Sequence, residues 1–148
     1  MITIRRANRN DAELLQKLSS QCKPLDVYTL YTYWVIVSYF QCFILEEDDM
    51  PIGFIASIET KDILLIWQIG ILKDYRGVGY SYLLLDNLLS GTNKEVHITV
   101  DSKNIAILRA IKSFVRKKNY RLEVSDGVKI SGSGTSENEV RYIIIKSN

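Results

Sequence analysis

Ile2-Thr3-Ile4-Arg5 alternates apolar and polar residues, the period of a half-buried strand. Asn10 followed by Glu13 reads as a capping box ahead of Leu14, Leu15 and Leu18, so a helix is expected next. Apolar positions then fall at Val27, Leu30, Tyr31, Trp34 and Val35, a helical spacing that predicts a second helix from Val27. Residues 43–45 and 52–58 flank the acidic segment Glu46-Glu47-Asp48-Asp49-Met50-Pro51, whose proline cannot continue a ladder, and together they read as a hairpin. The nearly continuous apolar run over residues 63–72 predicts a central strand buried on both faces. A glycine-containing loop, Lys73-Asp74-Tyr75-Arg76-Gly77-Val78-Gly79, leads into a leucine-rich helix from Tyr80 to about Leu89, ending near Gly91. Residues 96–100 form the next strand, and Ala106, Ile107, Ala110, Ile111, Phe114 and Val115 mark one face of a helix starting near Asn104. Residues 120–124 and 140–145 read as closing strands, joined across 125–138, where Ser131-Gly132-Ser133-Gly134 is of low complexity. The sum is an α/β fold: one mixed central sheet with helices on both faces.

The chain has 148 residues, and two independent cores would leave about 74 residues each, near the lower limit for folding alone, so one domain over 1–148 is expected. Hydrophobic residues are 47% and charged residues 24%, the balance of an ordinary globule. Nineteen Lys and Arg against seventeen Asp and Glu give +2, too even to mark a nucleic-acid partner. Arg109, Lys112, Arg116, Lys117, Lys118 and Arg121 make a basic strip that reads as a solvated helix face; nucleic-acid binding is the other reading. Purely apolar runs stop at five residues, far below the ~20 that span a bilayer, and the N-terminal residues lack the order of a secretory signal. A cytoplasmic protein without a membrane segment is expected. Cys22 and Cys42 read as buried thiols, and His97, within an alternating strand, has no second metal ligand nearby, so no metal site is expected.

Arg76-Gly77-Val78-Gly79 between a buried strand and a helix offers backbone N–H groups at a positive dipole end, and its glycines let an anion approach closely. A tight turn alone is the plainer reading. A P-loop is excluded, because no Gly-Lys-Ser/Thr follows. In its element order and in this loop the chain resembles the GNAT superfamily of N-acetyltransferases, whose coenzyme A loop follows the fourth strand and commonly reads Gln/Arg-x-x-Gly-x-Gly/Ala. Asp74 stands at the first position of that pattern. The resemblance implies a GNAT-type sheet and acetyl-CoA bound by Ile69, Gly70, Ile71, Arg76, Gly77, Val78, Gly79, Tyr80 and Asn104. It also implies that the strand carrying Ile69 to Ile71 parts from its neighbour so that the pantetheine arm pairs along it. Many relatives place a tyrosine seven residues beyond the asparagine as general acid; here that residue is Ile111.

Pro24-Leu25-Asp26-Val27-Tyr28-Thr29-Leu30-Tyr31, residues 54–58, Ile66-Trp67-Gln68-Ile69, the glycine loop and Thr99-Val100-Asp101-Ser102-Lys103-Asn104 together look like the L-2,4-diaminobutyrate acetyltransferases of the ectoine pathway. That resemblance implies acetyl transfer to the γ-amine of a diamino acid and a homodimer. A ligand with two ammonium groups calls for acidic side chains and an aromatic wall. Asp26, Tyr31, Trp67 and Glu139 are the substrate-binding candidates, with Glu139 and Asp26 handling the amine and Tyr31 relaying a proton. Each also has a structural reading: Asp26 as a helix N-cap, Trp67 as core, Tyr31 as a packed helix face, and Glu139 as a solvated strand residue, with Glu137 the alternative register. Ser136 and Tyr28-Thr29 depart from the resembled motif, which tends to carry a histidine and an Asn-Ser pair there. The rival functions are acetylation of another small amine or amino acid, and a degenerate coenzyme A-binding module.

Overall fold

The computed structural model describes residues 1–132 and 135–147, and of residues 126–132 and 135–138 the backbone alone. Strand β1 (Ile2–Arg6) precedes α1 (Ala12–Gln21) and α2 (Leu30–Tyr39). Strands β2 (Cys42–Glu47), β3 (Met50–Glu59) and β4 (Ile63–Ile71) follow as a meander, then α3 (Tyr80–Ser90), β5 (Glu95–Asp101), α4 (Ile105–Lys118), β6 (Arg121–Gly132) and β7 (Thr135–Ile145). The sheet order is β1-β2-β3-β4-β5-β7-β6, with β4 and β5 parallel and the other pairs antiparallel. The expected mixed sheet is present, and alternation along β3, reset by an extra residue at Ile52, divides it between two cores. Phe54 and Ala56 join α1 and α2 on one face, while Ile52 and Ile55 join α3 and α4 on the other.

Several boundaries differ from the sequence reading, each for a local reason. The capping box is Asn8 with Asp11 on a 3-10 turn, two residues before the expected Asn10 and Glu13. Asp11 is recruited there because Arg5 of β1 grips both its carboxylate oxygens, each at 2.9 Å. Helix α2 begins at Leu30 rather than Val27, because Thr29 is the N-cap, its Oγ1 accepting from Thr32 N at 3.3 Å. The buried face of α2 is consequently Tyr33, Ile36 and Val37, whereas Tyr31 and Trp34 face outward. Asp48 and Asp49, both left-handed, turn the β2–β3 hairpin, so Glu46, Glu47 and Pro51 lie within the strands. Pro51 is tolerated because the register shifts there, Glu46 pairing with Pro51 and Leu45 with Gly53. The β6–β7 ribbon runs well into the expected 125–138 connection; its polar sequence carries no apolar alternation by which to read a strand. Ser133 and Gly134 lie outside the described residues.

Candidate active site

The site begins with one extra residue. Ala56 of β3 pairs with Gln68 and Ser57 with Ile66, so Trp67 is the bulged residue of β4. The bulge resets the alternation. Leu64, Ile66, Ile69 and Ile71 all reach the α3/α4 core, while Trp67 and Gln68 both turn toward α1 and α2. It also bends β4 away from β5. The parallel ladder holds from Ile63 with Glu95 to Ile66 with Ile98 and then stops, although β4 runs on to Ile71 and β5 to Asp101. The parting expected from the resemblance is therefore present, and it begins at Trp67.

Into this parting opens a cleft of about 380 Å³. Ile69, Gly70, Ile71, Arg76, Gly77, Gly79, Tyr80 and Asn104 line it; Val78 points to solvent. Gly77 (φ 84°) and Gly79 (φ 92°) hold backbone conformations that L side chains rarely adopt, and nothing lies within 4 Å of a Cβ built on either. Their absent side chains leave open space over the loop. Gly79 caps α3 without a side-chain bond, so the first-turn amides of that helix face the loop without an intrahelical acceptor. Arg76 acts as a strap: its Nε donates to Ile71 O at 2.8 Å and its Nη2 to Lys23 O at 3.0 Å, tying the glycine loop to the segment after α1. Among the described residues no carboxylate lines the cleft, whereas Lys23, Arg76 and Lys117 do. Asp74, acidic where the resembled loop has Gln or Arg, is exposed on a 3-10 turn and is not among the lining residues. Asn104 caps α4, its side chain accepting from Ile107 N at 3.3 Å.

On the α1/α2 side of the bulge, Trp67 packs against Tyr28 and Tyr33, with ring centroids 5.1 and 5.7 Å away. Buried Gln68 is the hub. Its Oε1 accepts from Ser19 Oγ at 3.1 Å and Tyr33 OH at 3.3 Å, and its Nε2 donates to the Asp26 carbonyl at 2.9 Å. Asp26 is thus pinned to Gln68 through its main chain, with its side chain exposed. It is not the cap of α2. Glu139 pairs with Asp101 across β7 and β5 and is half-buried, its Oε2 shielded from solvent. Val100 enters the α3/α4 core, so alternation directs Asp101 and Glu139 to the opposite face, the one that Trp67 occupies, two strands away. Tyr31 is 72% exposed and stacks on Trp34 at 6.1 Å, apart from the Trp67 cluster. Ser136 and Glu137 lie among the residues whose side chains are not described.

The remaining candidates hold packing roles. Burial pushes the Cys22 thiol up to about 11 and that of Cys42 up to about 12, so neither is a ready nucleophile. His97 is buried, with Nε2 2.6 Å from Glu95 Oε1. Ile111 is fully buried between α4 and the sheet. No cluster of possible metal ligands occurs among the described residues, and none of their helices is long and apolar enough to cross a membrane. Sequence reasoning gave no site role to Gln68, Tyr33 or Lys117, although Gln68 lies in the resembled motif and Lys117 in the basic strip. Gln68 did carry a signal, as the one polar side chain inside the apolar run of β4.

Comparison with known proteins then decides the family: the profile of the acetyltransferase (GNAT) family matches residues 11–114. This chain belongs to the GNAT family. Within that family it is 26% identical to the L-2,4-diaminobutyric acid acetyltransferase of Vibrio cholerae, over 94% of this chain and 86% of that one. To the enzyme of the same name from Halalkalibacterium halodurans it is 28% identical, over 84% and 70%. Its GNAT fold superposes with a TM-score of 0.87 on diaminobutyrate acetyltransferase EctA from Paenibacillus lautus, solved with L-2,4-diaminobutyric acid and coenzyme A. That match covers 98% of this chain and 95% of that one at 23% identity.

Proposed function

We propose that this chain is an acetyltransferase that moves acetyl from acetyl-CoA to the γ-amine of L-2,4-diaminobutyrate. The observation that carries the reading is the parting of β4 and β5 above a glycine-floored cleft with no carboxylate among its described lining residues, in a chain whose relatives bear that activity in their names. The amide-rich pantetheine arm pairs with the free edge of β4 beyond Trp67 as an added strand, and the pyrophosphate lies on the Gly77 to Tyr80 amides. A β4 N–H polarises the thioester carbonyl.

An alkyl amine with a pKa of about 10 is almost wholly protonated at neutral pH, so a proton must leave before attack. Glu139 takes it. The neutral amine adds to the carbonyl carbon, its nitrogen gives up a second proton to water, and the tetrahedral intermediate collapses to the amide with loss of the coenzyme A thiolate. Ile111 offers no proton to that thiolate, which draws one from water. Asp26 and Trp67 hold the ammonium and the carbon chain, by charge and by the ring face. The proposal includes a homodimer in the cytoplasm. Leu30, Tyr31, Trp34 and Tyr39 leave an aromatic surface on α2 for a second subunit, and Tyr31 keeps its proton-relay role in such an assembly. The test is the product: mass spectrometry and NMR of the reaction should show acetyl on the γ-nitrogen, and acetyl on the α-nitrogen would overturn the assignment.

A further inference from the structure

Of the basic residues along α4, one turns into the cleft. Lys117 lines the cleft with Ser113 and Phe114, and its Nζ sits 5.4 Å from the centroid of the Tyr82 ring. Its neighbours are committed elsewhere: Lys118 Nζ binds Asp86 at 2.7 Å, and Arg121 binds Glu123 at 3.2 Å. Among the described residues Lys117 forms no ion pair, and no carboxylate lines the cleft to neutralise it. A ring face holds an ammonium in place without cancelling its charge, so Lys117 is positioned and still available to an anion. Tyr82 belongs to the first turn of α3, which carries the loop amides that receive the pyrophosphate in the proposed function. The cleft therefore offers two separate sites for negative charge: backbone amides at Gly77 to Tyr80, and an ammonium farther along, across the Tyr82 ring.

Resting on the acetyl-CoA reading above, we infer that Lys117 binds the 3′-phosphate of the cofactor and makes the enzyme discriminate coenzyme A from 3′-dephospho-coenzyme A. Lys117 is exposed, so screening keeps the contact modest, about three- to tenfold in affinity at moderate salt. Calorimetry of the full chain with coenzyme A and with 3′-dephospho-coenzyme A reads it directly. The wild type should favour coenzyme A by that factor, and the preference should shrink as salt rises. Lys117→Met should weaken coenzyme A to the level of the dephospho form while leaving dephospho binding unchanged, and Lys117→Arg should retain the preference. Lys117 is exposed, so its variants should keep the wild-type melting temperature, which is checked alongside. Equal preference in wild type and Lys117→Met, or a wild type that binds both ligands equally, overturns the Lys117 assignment alone. A wild type that binds neither ligand overturns the cofactor reading together with it.

Discussion

Replacing Gly70 by alanine tests the geometry of the cleft floor. A Cβ there would lie 2.8 Å from Cys22 Cβ, 2.9 Å from Leu25 Cδ1 and 3.0 Å from Cys22 Sγ, where ordinary contacts are 3.4–4 Å. Leu25 Cδ1 ends a flexible side chain and can turn aside. Cys22 Cβ cannot, because Cys22 is the buried C-cap of α1. Overpacking of this kind costs about 1–3 kcal/mol, against about 0.4–1 kcal/mol gained by restricting the unfolded chain. The net destabilisation is then about 1–2 kcal/mol, or roughly 2–8 °C in Tm for a chain of this size. Residues 22–25 also line the cleft, so displacing them should raise the acetyl-CoA KM several-fold while the amine KM changes less. Differential scanning fluorimetry and thiol release read the two effects. Adding Cys22→Gly removes two of the three short contacts and should recover part of the Tm relative to Cys22→Gly alone. A Gly70→Ala variant with wild-type Tm and KM would show that the free stretch of β4 does not face this segment.

Glu139→Gln should lower kcat/KM for diaminobutyrate by ~10²-fold with acetyl-CoA binding nearly intact; wild-type rates would remove its base role. Asp26→Asn should mainly raise the amine KM, and an unchanged amine KM would detach Asp26 from the substrate. Gly79→Val, forced into φ 92° in open space, should raise the acetyl-CoA KM strongly in a folded protein. Cys22→Ala and Cys42→Ala should stay active with ternary-complex kinetics, and the native thiols should resist a disulfide reagent at pH 8, since burial raises both; a trapped acetyl-cysteine would contradict direct transfer. Arg5 holds the Asp11 carboxyl below its ordinary value, so the pair's stabilisation is full above about pH 4 and is lost as pH falls through the depressed value. Asp11→Asn should flatten the acid side of a Tm-against-pH curve, and an unaltered profile would leave the pair without weight.

The order of elements was legible because turns, glycines and periodicity are local properties. What the pattern could not show was pairing. The apolar run of β4 carries no phase, so the extra residue at Trp67 is invisible until Ala56 and Ser57 of β3 are set against it. The same bulge decides that Trp67 and Gln68 share a face and that β4 leaves β5 after Ile66. In α2, apolar residues occupy nearly every position, so the spacing that picks out Tyr31 does not exclude Tyr33. Burial picked Tyr33, whose hydroxyl reaches Gln68 while its ring meets Trp67. The glycine loop was the most readable part of the site, since L side chains rarely adopt its two positive φ angles. Glu139 was reached through the resemblance, not through any periodicity of its ribbon.

Thiol release from acetyl-CoA, measured against L-2,4-diaminobutyrate, ornithine, lysine, 2,3-diaminopropionate and simple diamines, tests the central claim most directly. The proposed function predicts the highest kcat/KM for L-2,4-diaminobutyrate, with loss of activity when the chain between the amines is lengthened or shortened or the carboxylate removed. Equal rates across the panel, a higher kcat/KM for another amine, or binding of acetyl-CoA without thiol release to any of them would contradict it.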